Sequence, residues 1–167
     1  MKTIEEVKKW LARKDIKNYT ISDDLHVTVH GSVNLQGKIE GNKLPVKFEV
    51  IDGYFNISDN NLESLEGSPK KVIRDFDCSN NKIKTLFRGP QIVGDFNCSN
   101  NALNKDLSYG PKEVSGFYNC SNNRLISIQG SPRSLNGYFN CSNNLITSLK
   151  SGPKYIDEFF DASQNRL

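Results

Sequence analysis

The side chains that could do chemistry are four cysteines, two histidines and scattered acids. Cys78, Cys98, Cys120 and Cys141 stand 20, 22 and 21 residues apart. Zinc sites use cysteine pairs a few residues apart, which this spacing does not offer. Each cysteine instead opens the same tetrad, Cys-Ser-Asn-Asn, and the same position holds Ile57 in an earlier copy and Ala162 in a later one. A slot that accepts isoleucine, cysteine and alanine is a small apolar slot, so these thiols are expected to be reduced and buried. His26 and His30 stand alone, with no acid or cysteine pattern around them, and are expected on a strand surface. The serines of the repeats occupy a fixed slot, and the glycines form neither a P-loop nor a dinucleotide fingerprint. Asp75, Asp77 and Asp95 could gather a cation, with a solvated acidic patch as the other reading. The Asn-x-Ser triplets at Asn56, Asn97, Asn119 and Asn140 are by-products of the repeat rather than glycosylation signals. This inventory points to no catalytic residue, no metal and no cofactor.

What must position these residues is a repeat. Prolines fall at Pro69, Pro90, Pro111, Pro132 and Pro153, every 21 residues. A glycine precedes each (Gly67, Gly89, Gly110, Gly130, Gly152), and an aliphatic follows three residues later (Val72, Val93, Val114, Leu135, Ile156). Then comes aromatic-x-Cys-x-x-Asn-x-aliphatic, as in Phe76, Cys78, Asn81 and Ile83. The segment recurs at Phe96, Tyr118 and Phe139, with outer copies at Phe55 and Phe160, and a further aliphatic follows at Leu65, Leu86, Leu107, Ile128 and Leu149. A fixed period of this length marks stacked coils, each burying its apolar slots only against its neighbours. Alternation within aromatic-x-Cys puts both side chains inward on a short strand. The asparagine then turns the chain. Asn60, Asn81, Asn101, Asn123, Asn144 and Asn165 should form a ladder, each amide bonding the backbone of a neighbouring turn. Glycine and proline shape a return segment too short for a helix.

The L-x-L-x-x-N-x-L wording, with an aromatic and a cysteine in its first two slots, resembles a leucine-rich repeat. The short period, with proline near its start, is similar to the bacterial type known in secreted effectors. The Gly-(Ser)-Pro-Lys…Phe-Asn-Cys-Ser-Asn-Asn phrase is similar to repeats of large tailed phages and bacteria. The resemblance covers roughly residues 44–167 and implies a repeat solenoid, mainly β with short irregular return segments, whose function is binding. Some bacterial repeat proteins of this look carry a ubiquitin-ligase domain, for which this chain has no room.

Residues 1–43 differ and suit a small α+β cap ahead of a solenoid of about six coils over 44–167. Thr3-Ile4-Glu5-Glu6 is a capping box, and Ile4, Val7, Trp10 and Leu11 share one helical face, predicting a helix over about 4–14. Trp10 is expected to anchor the core. Strands are expected around Tyr19–Ile21 and His26–Val29, with Val33-Asn34-Leu35 as a degenerate first coil. The chain has 167 residues, is 36% hydrophobic and carries a net charge of +3, too mild a bias to specify nucleic acid. No apolar run reaches membrane-span length, and acids stand where a signal peptide would be apolar. The expectation is a cytosolic protein, in the host cytosol if phage-encoded.

Three columns should point outward from the ladder strands. Asn56, Asp77, Asn97, Asn119, Asn140 and Asp161 form one, and Ser58, Ser79, Ser99, Ser121, Ser142 and Ser163 another; both are monotonous. The third varies: Tyr54, Asp75, Asp95, Phe117, Tyr138, Phe159. With strands about 4.8 Å apart, its last three members would make an aromatic stripe roughly 10 Å long. That stripe is the expected contact surface for a protein partner, the alternative being rings that merely stabilise the sheet. Lys70, Gln91, Lys112, Arg133 and Lys154, with Lys71, Arg74, Arg88 and Lys150, form a mostly basic edge without interleaved aromatics, which weakens a nucleic-acid reading. The last coil, through Phe160, Ala162 and Leu167, offers an apolar edge that a second copy could cover in an end-to-end dimer.

Overall fold

A computed structural model describes residues 3–167. Thr3 caps helix α1, Ile4–Arg13, by accepting from the Glu6 amide while the Glu6 carboxylate accepts from the Thr3 amide. Val7, Trp10 and Leu11 are its buried face, and Trp10 meets Phe48 edge-on at 6.4 Å. Five strands follow: β1 (Tyr19–Ile21), β2 (His26–Val29), β3 (Val33–Asn34), β4 (Lys47–Ile51) and β5 (Phe55–Asn56). Each later repeat adds two strands. These are β6 (Lys71–Val72) and β7 (Phe76–Asp77), β8 (Ile92–Val93) and β9 (Phe96–Asn97), and β10 (Glu113–Val114) and β11 (Tyr118–Asn119). The last pairs are β12 (Ser134–Leu135) with β13 (Phe139–Asn140), and β14 (Tyr155–Ile156) with β15 (Phe160–Asp161).

The result is a β-solenoid with a small N-terminal cap. One sheet runs β1-β2-β4-β6-β8-β10, antiparallel only at β1–β2, and the pair β12–β14 carries the same side of the coil onward. The other, the ladder sheet, runs β3-β5-β7-β9-β11-β13-β15, all parallel. The segment after each proline is thus itself a sheet, where the sequence suggested only an irregular return. A two-residue strand has no alternation to betray it. The β2 and β3 strands place residues 26–34 in both sheets as a first coil.

The register stacks like on like: Phe55, Phe76, Phe96, Tyr118, Phe139 and Phe160 are direct partners. Their rings form an internal column with centroids 4.9 to 5.7 Å apart. Beside it lies the second inward column of Ile57, Cys78, Cys98, Cys120 and Cys141, all fully buried. The core is continuous from Val7 to Ile146. Leu149 departs from the inward role that its repeat position suggests. Among the described residues no later coil packs over it, so it is exposed, as are Phe160 and Leu167.

The asparagine ladder is a network that crosses coils. Asn101 Oδ1 accepts from the Ile83 amide at 3.0 Å, while its Nδ2 donates to Cys78 O in the preceding coil and to Cys98 O and Ser99 O in its own. Asn123 repeats this with Leu103, Cys98, Cys120 and Ser121. Asn60, Asn81, Asn144 and Asn165 each make the equivalent set. The residue before each ladder asparagine has a separate task. Asp59, Asn80, Asn100, Asn122, Asn143 and Gln164 all take φ between 53° and 55°, the left-handed turn that asparagine tolerates better than most side chains.

Two expectations follow. Asn101→Ala or Asn123→Ala strands an amide and two or three carbonyls, costing about 1–3 kcal/mol in chemical denaturation; an unchanged midpoint would show that the corner is held some other way. Tyr118 is the one tyrosine among the inner rings, and its hydroxyl is buried without a hydrogen-bond partner among the described residues. Tyr118→Phe should therefore raise stability by about 1 kcal/mol, read from the same denaturation curves.

Candidate functional site

The ladder sheet presents its columns to solvent unequally. Asn56, Asn97, Asn119 and Asn140, with Asp77 and Asp161, turn their Oδ1 atoms back onto the amide two residues on, at 2.8 to 3.2 Å. This Asx turn corrects the expected serine column. Ser58, Ser79, Ser99, Ser121 and Ser142 are buried rather than outward, and the hydroxyls of Ser58, Ser99 and Ser142 donate to the same Oδ1 atoms. Strand alternation stops at the cysteine slot, so counting by twos beyond it misplaces the next side chain. The first column is turned onto the backbone and the second is largely buried beside it, so both leave little to read from outside.

The third column is the open one. Phe117 and Tyr138 stack at 4.7 Å with planes 3° apart, and Tyr138 and Phe159 at 4.8 Å and 8°. Phe117 and Tyr138 are half-buried, whereas Phe159 is 54% exposed. Tyr54, Asp75 and Asp95 continue the column in the other direction, so the register puts all six positions on one line. Asp95 is tied down: its Oδ1 accepts from the Phe117 amide at 2.9 Å. That approach needs Gly116, where an added Cβ would meet Asp95 Oδ1 at 1.8 Å. Burial pushes the Asp95 carboxyl pKa up, the Phe117 amide opposes the rise, and Asp75 adds to it. Burial likewise raises the Tyr138 phenol, helped by the charges of Asp95 and Glu158. A hollow of about 270 Å³ joins Asp95, Gly116, Phe117, Gly137, Tyr138 and Glu158.

The basic edge is partly used internally. Lys70 pairs with Glu49 at 3.0 Å and Arg88 with Glu66 at 2.7 Å, while Lys112 Nζ donates to Ser108 O and Gly130 O. The histidines are not alone. His26 Nδ1 lies 2.7 Å from Asp24 Oδ2, and His30 Nδ1 lies 2.8 Å from Asp52 Oδ2. Asp52 comes from the next coil, 22 residues on, which no local pattern could reveal. Ser22 also donates to Asp24, at 2.6 Å. Serine, aspartate and histidine meet here with the acid in the middle, whereas activating a serine needs the imidazole there. Among the described residues, no three His, Cys, Asp or Glu side chains converge so as to hold a metal ion.

One exposed feature escaped the sequence reading. Phe87 and Tyr109, 52% and 56% exposed, meet edge-to-face at 5.2 Å, with the Arg88 guanidinium 5.6 Å from the Phe87 ring centroid. Both lie on return loops just before Arg88-Gly89 and Gly110. The loops differ in length between copies, so the two rings do not fall at one repeat position.

Comparison with protein-family models, with curated proteins and with solved structures gives no match. Among the described residues, no helix is long and apolar enough to cross a membrane.

The four cysteines are free thiols in the core. Burial raises the pKa of Cys78, Cys98 and Cys120 well above the ordinary thiol value and pushes Cys141 up to about 12. With little thiolate and no access, native protein should resist a thiol reagent, and all four should label only after denaturation. Stoichiometric labelling of native protein within minutes would contradict this.

Proposed function

We propose that the chain is a non-enzymatic protein-interaction module whose ladder face binds a protein partner through the third column. The observation that carries this is the ridge of Phe117, Tyr138 and Phe159, aligned and partly exposed on a face whose other two columns are turned onto the backbone or largely buried. Rigid aromatics at the centre of a surface supply contact area at little entropic cost, which is why they concentrate in binding hot spots. The asparagine network supports assigning the solenoid to the leucine-rich-repeat type, with the second sheet as its own variation on the return side. The similarity of the repeat phrase to phage and bacterial repeats makes modulation of host or defence proteins our reading of the biological role, in the cytoplasm.

Self-association is the second reading, favoured by the exposure of Phe160 and Leu167, the latter 65% exposed, on the face of the last coil. One experiment separates the two. Phe117→Ala with Tyr138→Ala should abolish partner capture from bacterial lysate while circular dichroism, melting and sedimentation stay near wild type. Retained capture removes the binding-face reading. A wild-type dimer that dissociates on Phe160→Asp would instead support self-association.

A further inference from the structure

Resting on the binding-face reading, we infer that the gap in the third column between Tyr54 and Phe117 is a slot for an arginine side chain of the partner. Because strands repeat at one spacing, Tyr54 and Phe117 stand three strand intervals apart, roughly 14 Å. The two rungs between them carry Asp75 and Asp95, whose short side chains do not fill the space that rings fill further along.

The walls and floor have definite chemistry. Phe117 lies parallel to Tyr138 and stacks on it along the solenoid axis, so its other face looks into the slot. The floor is negative. Asp95 is held against the Phe117 backbone by the Phe117 amide and the absent Cβ of Gly116, and Asp75 is close enough to raise its carboxyl pKa. Neither carboxylate has a cationic partner among the described residues. A guanidinium suits this place on three counts. It is planar and fits a stack of rings, its charge is attracted to a ring face, and its fork of donors matches carboxylates below. It would continue the ladder as one more flat layer, with its charge above Asp95 and Asp75. An apolar partner residue would leave both carboxylates desolvated and unpaired, so the slot selects against it.

The test uses the whole chain, ¹⁵N-labelled, titrated with the capped peptide acetyl-Gly-Arg-Gly-amide and with its citrulline counterpart, which keeps shape but lacks charge. The arginine peptide should shift the amides of Asp75, Asp95 and Phe117, and citrulline should bind at least ~5-fold more weakly. Asp95→Asn retains an Oδ1 acceptor for the Phe117 amide, so the fold should hold while affinity falls ~5- to 10-fold; Phe117→Leu should lose a similar factor and Glu63→Gln, on a distant loop, none. Equal binding of citrulline, shifts that avoid the slot, or an unaltered Asp95→Asn variant would each overturn the inference. If those occur while the Phe117/Tyr138 double variant still abolishes partner capture, the binding face stands and only the slot falls. Slot binding with capture untouched by that double variant would keep the arginine slot and remove the binding face.

Discussion

Everything in this solenoid depends on how the chain satisfies its backbone where it leaves the ladder strand. The strands are two residues long, so sheet pairing covers only a small part of each coil. At the corner one amide and several carbonyls would be buried without partners, at a cost comparable to the net value of several hydrogen bonds. A carboxamide at the right height is both donor and acceptor, and it reaches the coil before it as well as its own. Aspartate lacks the donor, and glutamine carries the amide one methylene too far. The neighbouring column makes the point by contrast. It needs only a left-handed φ, and it accepts Asp59 and Gln164 alongside four asparagines. The ladder position accepts asparagine six times in six.

With the corner fixed, the inward slots can vary only in ways that keep the stack filled. Isoleucine, cysteine and alanine serve in one column, and tyrosine replaces phenylalanine once in the other. The loops absorb differences in length. Among the five glycines that precede the repeat prolines, Gly67 and Gly130, the two separated from their prolines by a serine, are the ones with φ near 90°. At Gly130 an added Cβ would also meet Ser108 Cα at 2.4 Å, so the loop packs too closely for any other residue. Variation free of these demands is left to the third column and to the tips of the return loops.

The legible part of this protein was what the repeat multiplies. Six copies of Asn-x-aliphatic state the ladder, the inward columns and the solenoid more firmly than any single copy could, and the helix announced itself through Thr3 and Glu6. What was not legible came from geometry that the repeat does not encode. The buried serines depend on an Asx turn that begins where strand alternation stops. The second sheet is built from strands too short to carry a pattern. His30 finds Asp52 only because the coils stack, and Phe87 finds Tyr109 only across loops of unequal length. The variable column could be located from its outward register, but its parallel rings and the tethered Asp95 required coordinates.

The aromatic ridge takes its spacing from the sheet beneath it. Aromatic pairs prefer offset-stacked or edge-to-face contacts to a face-to-face sandwich, in which like quadrupoles meet. The exposed loop pair Phe87–Tyr109, with no sheet to dictate its spacing, adopts the edge-to-face arrangement with planes 74° apart. Phe117, Tyr138 and Phe159 instead stack nearly parallel at 4.7 and 4.8 Å, the rise from one rung of the ladder sheet to the next. Rings held in this way have lost their rotamer freedom before any partner arrives, so binding need not supply that entropy again. The same rigidity defines the neighbouring rungs. Where the column changes from rings to aspartates, the step in height is as fixed as the rings themselves, because Asp95 is tied to the amide of Phe117. A backbone constraint met by six asparagines thus reaches the surface as a ridge and a notch of set dimensions, and it is there that this otherwise uniform solenoid acquires an individual shape.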